Sequence, residues 1–96
     1  MSVRDYEIVF IVRPDLTDEA RAAKSERVHT LIAENGGTVT KTEDWGRRVL
    51  AYPIRHYTDG FYVFTEFGMP PESVSTLEGR LNIDEELLRY QIVLRG

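Results

Sequence analysis

The 96 residues include no cysteine and no run of Gly, Ser or Pro long enough to act as a linker, which predicts one domain over residues 1–96. Without cysteine, a disulfide framework, a thiolate zinc site and thiol catalysis are excluded. The net charge of −4 argues against a general polyanion binder, so any contact with nucleic acid must use a local basic patch. The N-terminus has no long apolar stretch, and we expect a cytoplasmic protein without membrane contact.

The first third of the chain predicts a strand and a helix. Apolar residues at every second position indicate a strand with one fully apolar face, and they are Tyr6, Ile8, Phe10 and Val12. Thr17 is the expected N-cap of a helix that ends near Asn35, where two glycines follow. The apolar side of this helix is predicted to contain Ala20, Ala23, Val28, Leu31 and Ile32.

The rest of the chain predicts three strands and a short helix. Residues 38–54 indicate a long strand with a bulge at Gly46, and Pro53 limits it to a sheet edge or a strand end. We expect a turn at residues 58–60 and then a central strand over residues 61–67. Two prolines open the second helix, and the last strand is predicted from the alternating residues Leu88, Tyr90, Ile92 and Leu94.

The order β-α-β-β-α-β predicts an α+β fold of the ferredoxin-like, split βαβ type. Such a domain has a four-stranded antiparallel sheet with both helices on one face, and the other face stays bare. The first and third strands are central in this topology, and the second strand is an edge. That placement agrees with Pro53, which cannot donate a hydrogen bond to a central ladder.

Metal and acid–base chemistry find no support in the sequence. His29 and His56 have no second ligand at metal-like spacing, and we expect both at the surface. The acidic pair at residues 43–44 and the acidic run at residues 84–86 lack a base partner that would separate their pKa values. We therefore predict no catalytic residue, no metal, no cofactor and no small-molecule substrate.

Acylphosphatases share this fold class and need a glycine-containing loop with an arginine after the first strand. The corresponding loop, residues 13–16, contains Arg13 but no glycine. Asp15 would also repel an anionic substrate. Phosphate ester hydrolysis is therefore disfavoured.

The predicted edge strand carries unusual residues for an exposed rim. Its aromatic, basic and conformationally special positions are Trp45, Gly46, Arg47, Arg48, Tyr52 and Pro53. An exposed edge of this composition favours binding of a protein partner, although charges at an edge also prevent aggregation through strand pairing. The two interpretations are compatible.

The predicted bare face mixes aromatic rings with arginines. Tyr62 and Phe64 should point away from the helices, and Arg89 and Arg95 of the last strand should lie on the same face. Guanidinium groups bind phosphates and aromatic rings stack on bases, so this mixture is suited to RNA. The alternative is that Tyr62 and Phe64 only pack against neighbouring strands.

Four separated blocks of sequence resemble a known family. They are YEIVFIVRPDL, EDWGRRVLAYPI, DGFYVFTEF and LLRYQIVLR, and together they span about Tyr6 to Arg95. These blocks are similar to the bacterial ribosomal protein family designated small-subunit protein six. The resemblance implies a component of the small subunit that carries no cofactor and docks on ribosomal RNA together with a small basic partner, ribosomal small-subunit protein eighteen.

The resemblance also implies roles for individual residues. The edge-strand residues from Trp45 to Pro53 named above are assigned mainly to the protein partner. Arg4, Arg89 and Arg95 are assigned to RNA phosphates. Tyr62 and Phe64 belong to the predicted RNA-binding residues because of their place on the bare face. We expect the isolated chain to be a monomer.

Two other functions stay open at this stage. A free RNA-recognition motif is suggested by the aromatic residues in positions 60–67, although Asp59 stands where that motif has a basic residue. An oligomerising, ligand-sensing module of the same fold would instead use the bare face for self-association.

Overall fold

The computed structural model describes residues 2–95, which form four strands and two α-helices in the predicted order. The elements are β1 (Arg4–Val12), α1 (Asp18–Glu34), β2 (Thr38–Ile54), β3 (Tyr57–Met69), α2 (Val74–Asn82) and β4 (Leu87–Leu94). One 3₁₀ turn, Pro71–Ser73, precedes α2. The strands form one antiparallel sheet in the order β2-β3-β1-β4, which confirms the ferredoxin-like fold and places β2 at an edge.

The main core lies between the sheet and the helices. The four alternating residues of β1 are all buried there, together with Phe67 of β3 and Leu77 of α2. Helix α1 starts as predicted, since the Thr17 hydroxyl accepts a hydrogen bond from the Ala20 N–H at 3.1 Å. The prediction that Ala23 contributes to the core is wrong, because α1 buries only a narrow stripe and Ala23 is exposed.

The β2–β3 hairpin turns at Arg55 and His56, so the predicted turn at residues 58–60 is wrong. Both turn residues have positive φ, 49° and 71°, as the tightest hairpin turns require. Such turns usually contain Asn or Gly, and the Arg-His pair therefore gives no signal in the sequence. Residues 58–60 lie inside β3 instead.

Two irregularities shape β2. The predicted bulge at Gly46 is confirmed by a register shift after Asp44, whose carboxylate accepts the Gly46 N–H at 2.9 Å. Farther along, Val49 pairs with Asp59 and Ile54 pairs with Tyr57. Four residues of β2, here called the 50–53 bulge, are thus opposed by a single residue of β3.

The end of the hairpin folds over the sheet face that lies opposite the helices. Leu50 packs there against Ile11 and Leu88 and forms a second apolar cluster, which Ile54, Tyr57 and Tyr62 extend. The prediction of a wholly bare face is therefore wrong at this end. The alternation that predicted β4 breaks at Leu88, because β4 shifts register opposite Ile11 and Val12, so that Leu87 and not Leu88 lies in the main core.

We call the sheet surface opposite the helices the open face. It is covered by the hairpin at one end and is accessible along the rest of β1, β3 and β4. Gly60 leaves room for the Ile11 and Leu88 side chains under the hairpin. A Cβ on Gly60 would be only 2.5 Å from the Ile11 Cγ2 atom and 3.1 Å from the Val12 carbonyl oxygen.

Alanine at Gly46 and at Gly79 is predicted to have opposite effects on stability. Gly46 has a φ of +79°, so Gly46→Ala should lower the free energy of unfolding by about 1 kcal/mol although space for a Cβ is free. Gly79 lies inside α2, where the Cβ also meets nothing, and Gly79→Ala should raise the free energy of unfolding by about 0.5–1 kcal/mol. Urea unfolding of both variants checks this, and a change of the same sign in both would contradict it.

Candidate macromolecular interface

The edge strand carries an aromatic stack on the open face. The Trp45 ring is parallel to the Phe64 ring, with 5.3 Å between centroids and 4° between planes. The Arg48 guanidinium lies 5.2 Å from the Trp45 ring centre, and the indole N–H donates to the Glu43 carboxylate at 3.3 Å. Trp45 remains 37% exposed, so this stack presents an aromatic and a cationic group together at the rim of the sheet.

Arg47 belongs to the opposite side of β2, because successive side chains of a strand alternate between faces. Arg47 forms an ion pair with Asp59, which raises the pKa of the Arg47 guanidinium. It also lies 5.9 Å from the centre of the Phe61 ring, which Arg21 of α1 approaches to 3.8 Å. The two adjacent arginines thus serve different surfaces, one beside the helices and one on the open face.

The 50–53 bulge brings together residues that the sequence assigned to different partners. Arg89, expected to bind RNA, donates a hydrogen bond to the hydroxyl of Tyr52, expected to bind protein. Pro53 and Tyr52 are exposed. A mostly apolar cleft of about 220 Å³ runs beside them and includes Val9 and Tyr62 in its lining. The bulge therefore forms one continuous surface with the open face.

Arg4 and Arg95 lie at the end of the sheet where β1 starts and β4 ends, and of these two only Arg95 pairs with described carboxylates. Arg95 pairs with Glu66 at 2.9 Å and with Glu7 at 3.4 Å. Arg4 is exposed at the start of β1, and none of the described carboxylates pairs with it. Arg4 is thus better able than Arg95 to attract a phosphate.

Tyr62 and Phe64 lie on the open face as expected, but both are half-buried. Tyr62 packs against the second apolar cluster, and one side of the Phe64 ring is covered by Trp45. These contacts favour the packing role that the sequence left open for the two rings.

Sequence reasoning missed Arg55, which joins the hairpin to the far edge of the sheet. Its guanidinium donates to the carbonyl oxygens of Glu85 at 2.9 Å and Leu87 at 2.6 Å. The Tyr57 hydroxyl makes a second link by donating to the Asp15 carboxylate at 3.1 Å. The pKa of Asp15 is lowered, first by its hydrogen bonds from Arg13 and also by the one from Tyr57. The hydrogen bonds of Arg55 and Tyr57 join residues that are far apart in the sequence, so they become visible only in the folded chain.

Within residues 2–95, no three metal-ligating side chains lie close enough to hold an ion. Neither α-helix of this range has the length and hydropathy of a transmembrane segment. His29 is half-buried, and its Nε2 atom lies 3.2 Å from the Thr42 hydroxyl and 3.5 Å from that of Thr65. His56 is exposed in the hairpin turn.

The Trp45–Phe64 stack should be measurable as a coupling energy. We expect a double-mutant cycle of Trp45→Ala and Phe64→Ala to give about 0.5–1.5 kcal/mol of coupling in urea unfolding. Pairing Trp45→Ala with Ile83→Ala, an exposed position after α2, should give additive effects within about 0.5 kcal/mol. Additivity of Trp45 and Phe64 as well would show that the two rings do not support each other.

Comparison with known proteins gives consistent matches. The family model for ribosomal protein S6 matches residues 5–94. The small ribosomal subunit protein bS6 of Moorella thermoacetica is 42% identical over 90 residues, which is 94% of this chain and 92% of that protein. The crystal structure of 30S ribosomal protein S6 from Thermotoga maritima is similar with a TM-score of 0.92 and 32% identity, covering 98% of this chain and 89% of that one. The C-terminal domain of MgtC from Mycobacterium tuberculosis, at 14% identity and a TM-score of 0.66 over 97% of this chain and 88% of that one, shares the fold alone.

Proposed function

Because the chain belongs to the ribosomal protein S6 family, we propose that it binds small-subunit ribosomal RNA together with ribosomal small-subunit protein eighteen. Family membership makes the chain a component of the small ribosomal subunit and not an enzyme.

The protein partner is assigned to the edge of β2 and to the 50–53 bulge. The observation that carries this assignment is the exposed rim on which Trp45 and Arg48 stand beside an unpaired strand edge. Backbone groups of such an edge are free to bind a partner segment, and aromatic and arginine side chains are the usual anchors of protein interfaces. The net charge of −4 favours a basic protein as the partner.

RNA is assigned to the arginines near the ends of β1 and β4. Arg4 is the strongest candidate, since no described carboxylate competes for it. A phosphate at Arg95 must compete with Glu7 and Glu66, and one at Arg89 must compete with Tyr52. Tyr62 and Phe64 receive a smaller direct role because other side chains cover them, which also disfavours base stacking as in a free RNA-recognition motif.

The first test is a binding experiment with both partners. We expect the purified chain to be a monomer and to bind a fragment of small-subunit ribosomal RNA tightly only when protein eighteen is present, because its own free cations are few. Titration by fluorescence anisotropy, with and without protein eighteen, measures this. Tight binding without the partner would favour the free RNA-recognition motif, and a stable homodimer by light scattering would favour the oligomerising module.

The second test removes the two edge-strand arginines. Arg47→Ala combined with Arg48→Ala should weaken binding of protein eighteen by about ten-fold, the equivalent of one lost charge-assisted contact. The thermal midpoint should change little, since exposed ion pairs contribute about 0–1 kcal/mol. Arg27→Ala combined with Arg80→Ala removes the same charge from the helices and is the control. Equal loss of binding in both double variants would show a general charge effect.

A further inference from the structure

The turn of the β2–β3 hairpin has a backbone conformation that its residues disfavour. Arg55 and His56 are the only residues other than glycine with positive φ in the part of the chain that the structure describes. L-residues with a Cβ avoid this region, and they stay in it only where the surroundings determine their conformation. Something outside the turn must therefore hold it.

The side chain of Arg55 provides that hold. Its two hydrogen bonds reach Glu85 and Leu87, at the junction of α2 and β4. The carbonyl of the residue between them, Glu86, accepts from the Arg13 N–H at 3.0 Å on the β1 side. The carbonyl of Glu86 thus faces β1, and those of Glu85 and Leu87 face Arg55. β4 is an edge strand, so the guanidinium binds carbonyls on the side where an additional strand would pair.

The position of Arg55 connects this clamp to the partner surface. The 50–53 bulge includes Tyr52 and Pro53, and only Ile54 separates it from the turn. Because four residues of the bulge oppose only one residue of β3, ladder hydrogen bonds alone leave its path loosely defined. The contact between Arg55 and β4 fixes the far end of this segment across the open face.

We propose that Arg55 is a positioning residue, which holds the 50–53 bulge in the shape that the protein partner binds. The inference rests on the function proposed above. Arg55 acts through Tyr52 and Pro53 and does not itself contact the partner. A bulge ordered in advance loses less conformational entropy on binding, which raises affinity without any added contact.

The decisive variants are Arg55→Met and Arg55→Lys. Methionine keeps an unbranched, mostly aliphatic stem and removes every donor, whereas lysine keeps the charge but replaces the planar fork that reaches two carbonyls. Arg80→Met, on the exposed side of α2, is the matched control.

Amide hydrogen exchange and partner affinity are both measured for each variant. In Arg55→Met, amides of residues 50–52 and 54–59 should exchange about ten-fold faster while those of β1 are unchanged, and the affinity for protein eighteen should fall about ten-fold. Arg55→Lys should lie between Arg55→Met and the unchanged protein in both measurements, and Arg80→Met should alter neither.

Each other result overturns the inference. Unchanged exchange in Arg55→Met would show that Arg55 does not hold the hairpin, whatever happens to affinity. Faster exchange with unchanged affinity would show that the shape of the bulge does not matter to the partner. If the unchanged protein fails to bind protein eighteen, the proposed function itself fails, and the exchange data still decide separately whether Arg55 is the clamp.

Discussion

The close approach of Gly60 to Ile11 determines the shape of the open face. A Cβ at this position would lie 2.5 Å from the Ile11 Cγ2 atom and crowd the β1 backbone, so a larger residue would force Ile11 or the hairpin to move. With the hairpin in this place, Leu50 and Leu88 complete a second apolar cluster. The same placement brings Tyr52 to Arg89 and Arg55 to β4, and the proposed partner surface depends on both contacts.

Much of the fold could be predicted because its signals are local or periodic. Alternation in β1, the cap at Thr17, the bulge at Gly46 and the edge position implied by Pro53 all follow from backbone stereochemistry acting over a few residues. The hairpin turn could not be predicted, since Arg-His carries no turn preference and is held there by distant carbonyls. Periodicity shows to which side a residue points, but not whether another segment folds back over that side.

The edge position of β2, on which the candidate interface rests, could be predicted from the sequence, but the ion pairs of its side chains could not. The sequence identifies Arg47, Arg48 and Arg95 as basic, but it does not show that Asp59, Glu7 and Glu66 pair with two of them. Such pairs unite residues from different strands, and only the register of the sheet brings them together. Their effect is to leave an acidic protein with few free cations, which restricts where a polyanion can bind.

The hairpin turn also bears on how this chain can evolve. Asn-Gly at positions 55 and 56 would lower the energetic cost of the two positive φ angles. It would therefore stabilise the turn in isolation. The same exchange would remove the guanidinium that reaches β4. The preference of the isolated turn and the contact between the hairpin and β4 therefore favour different dipeptides at positions 55 and 56.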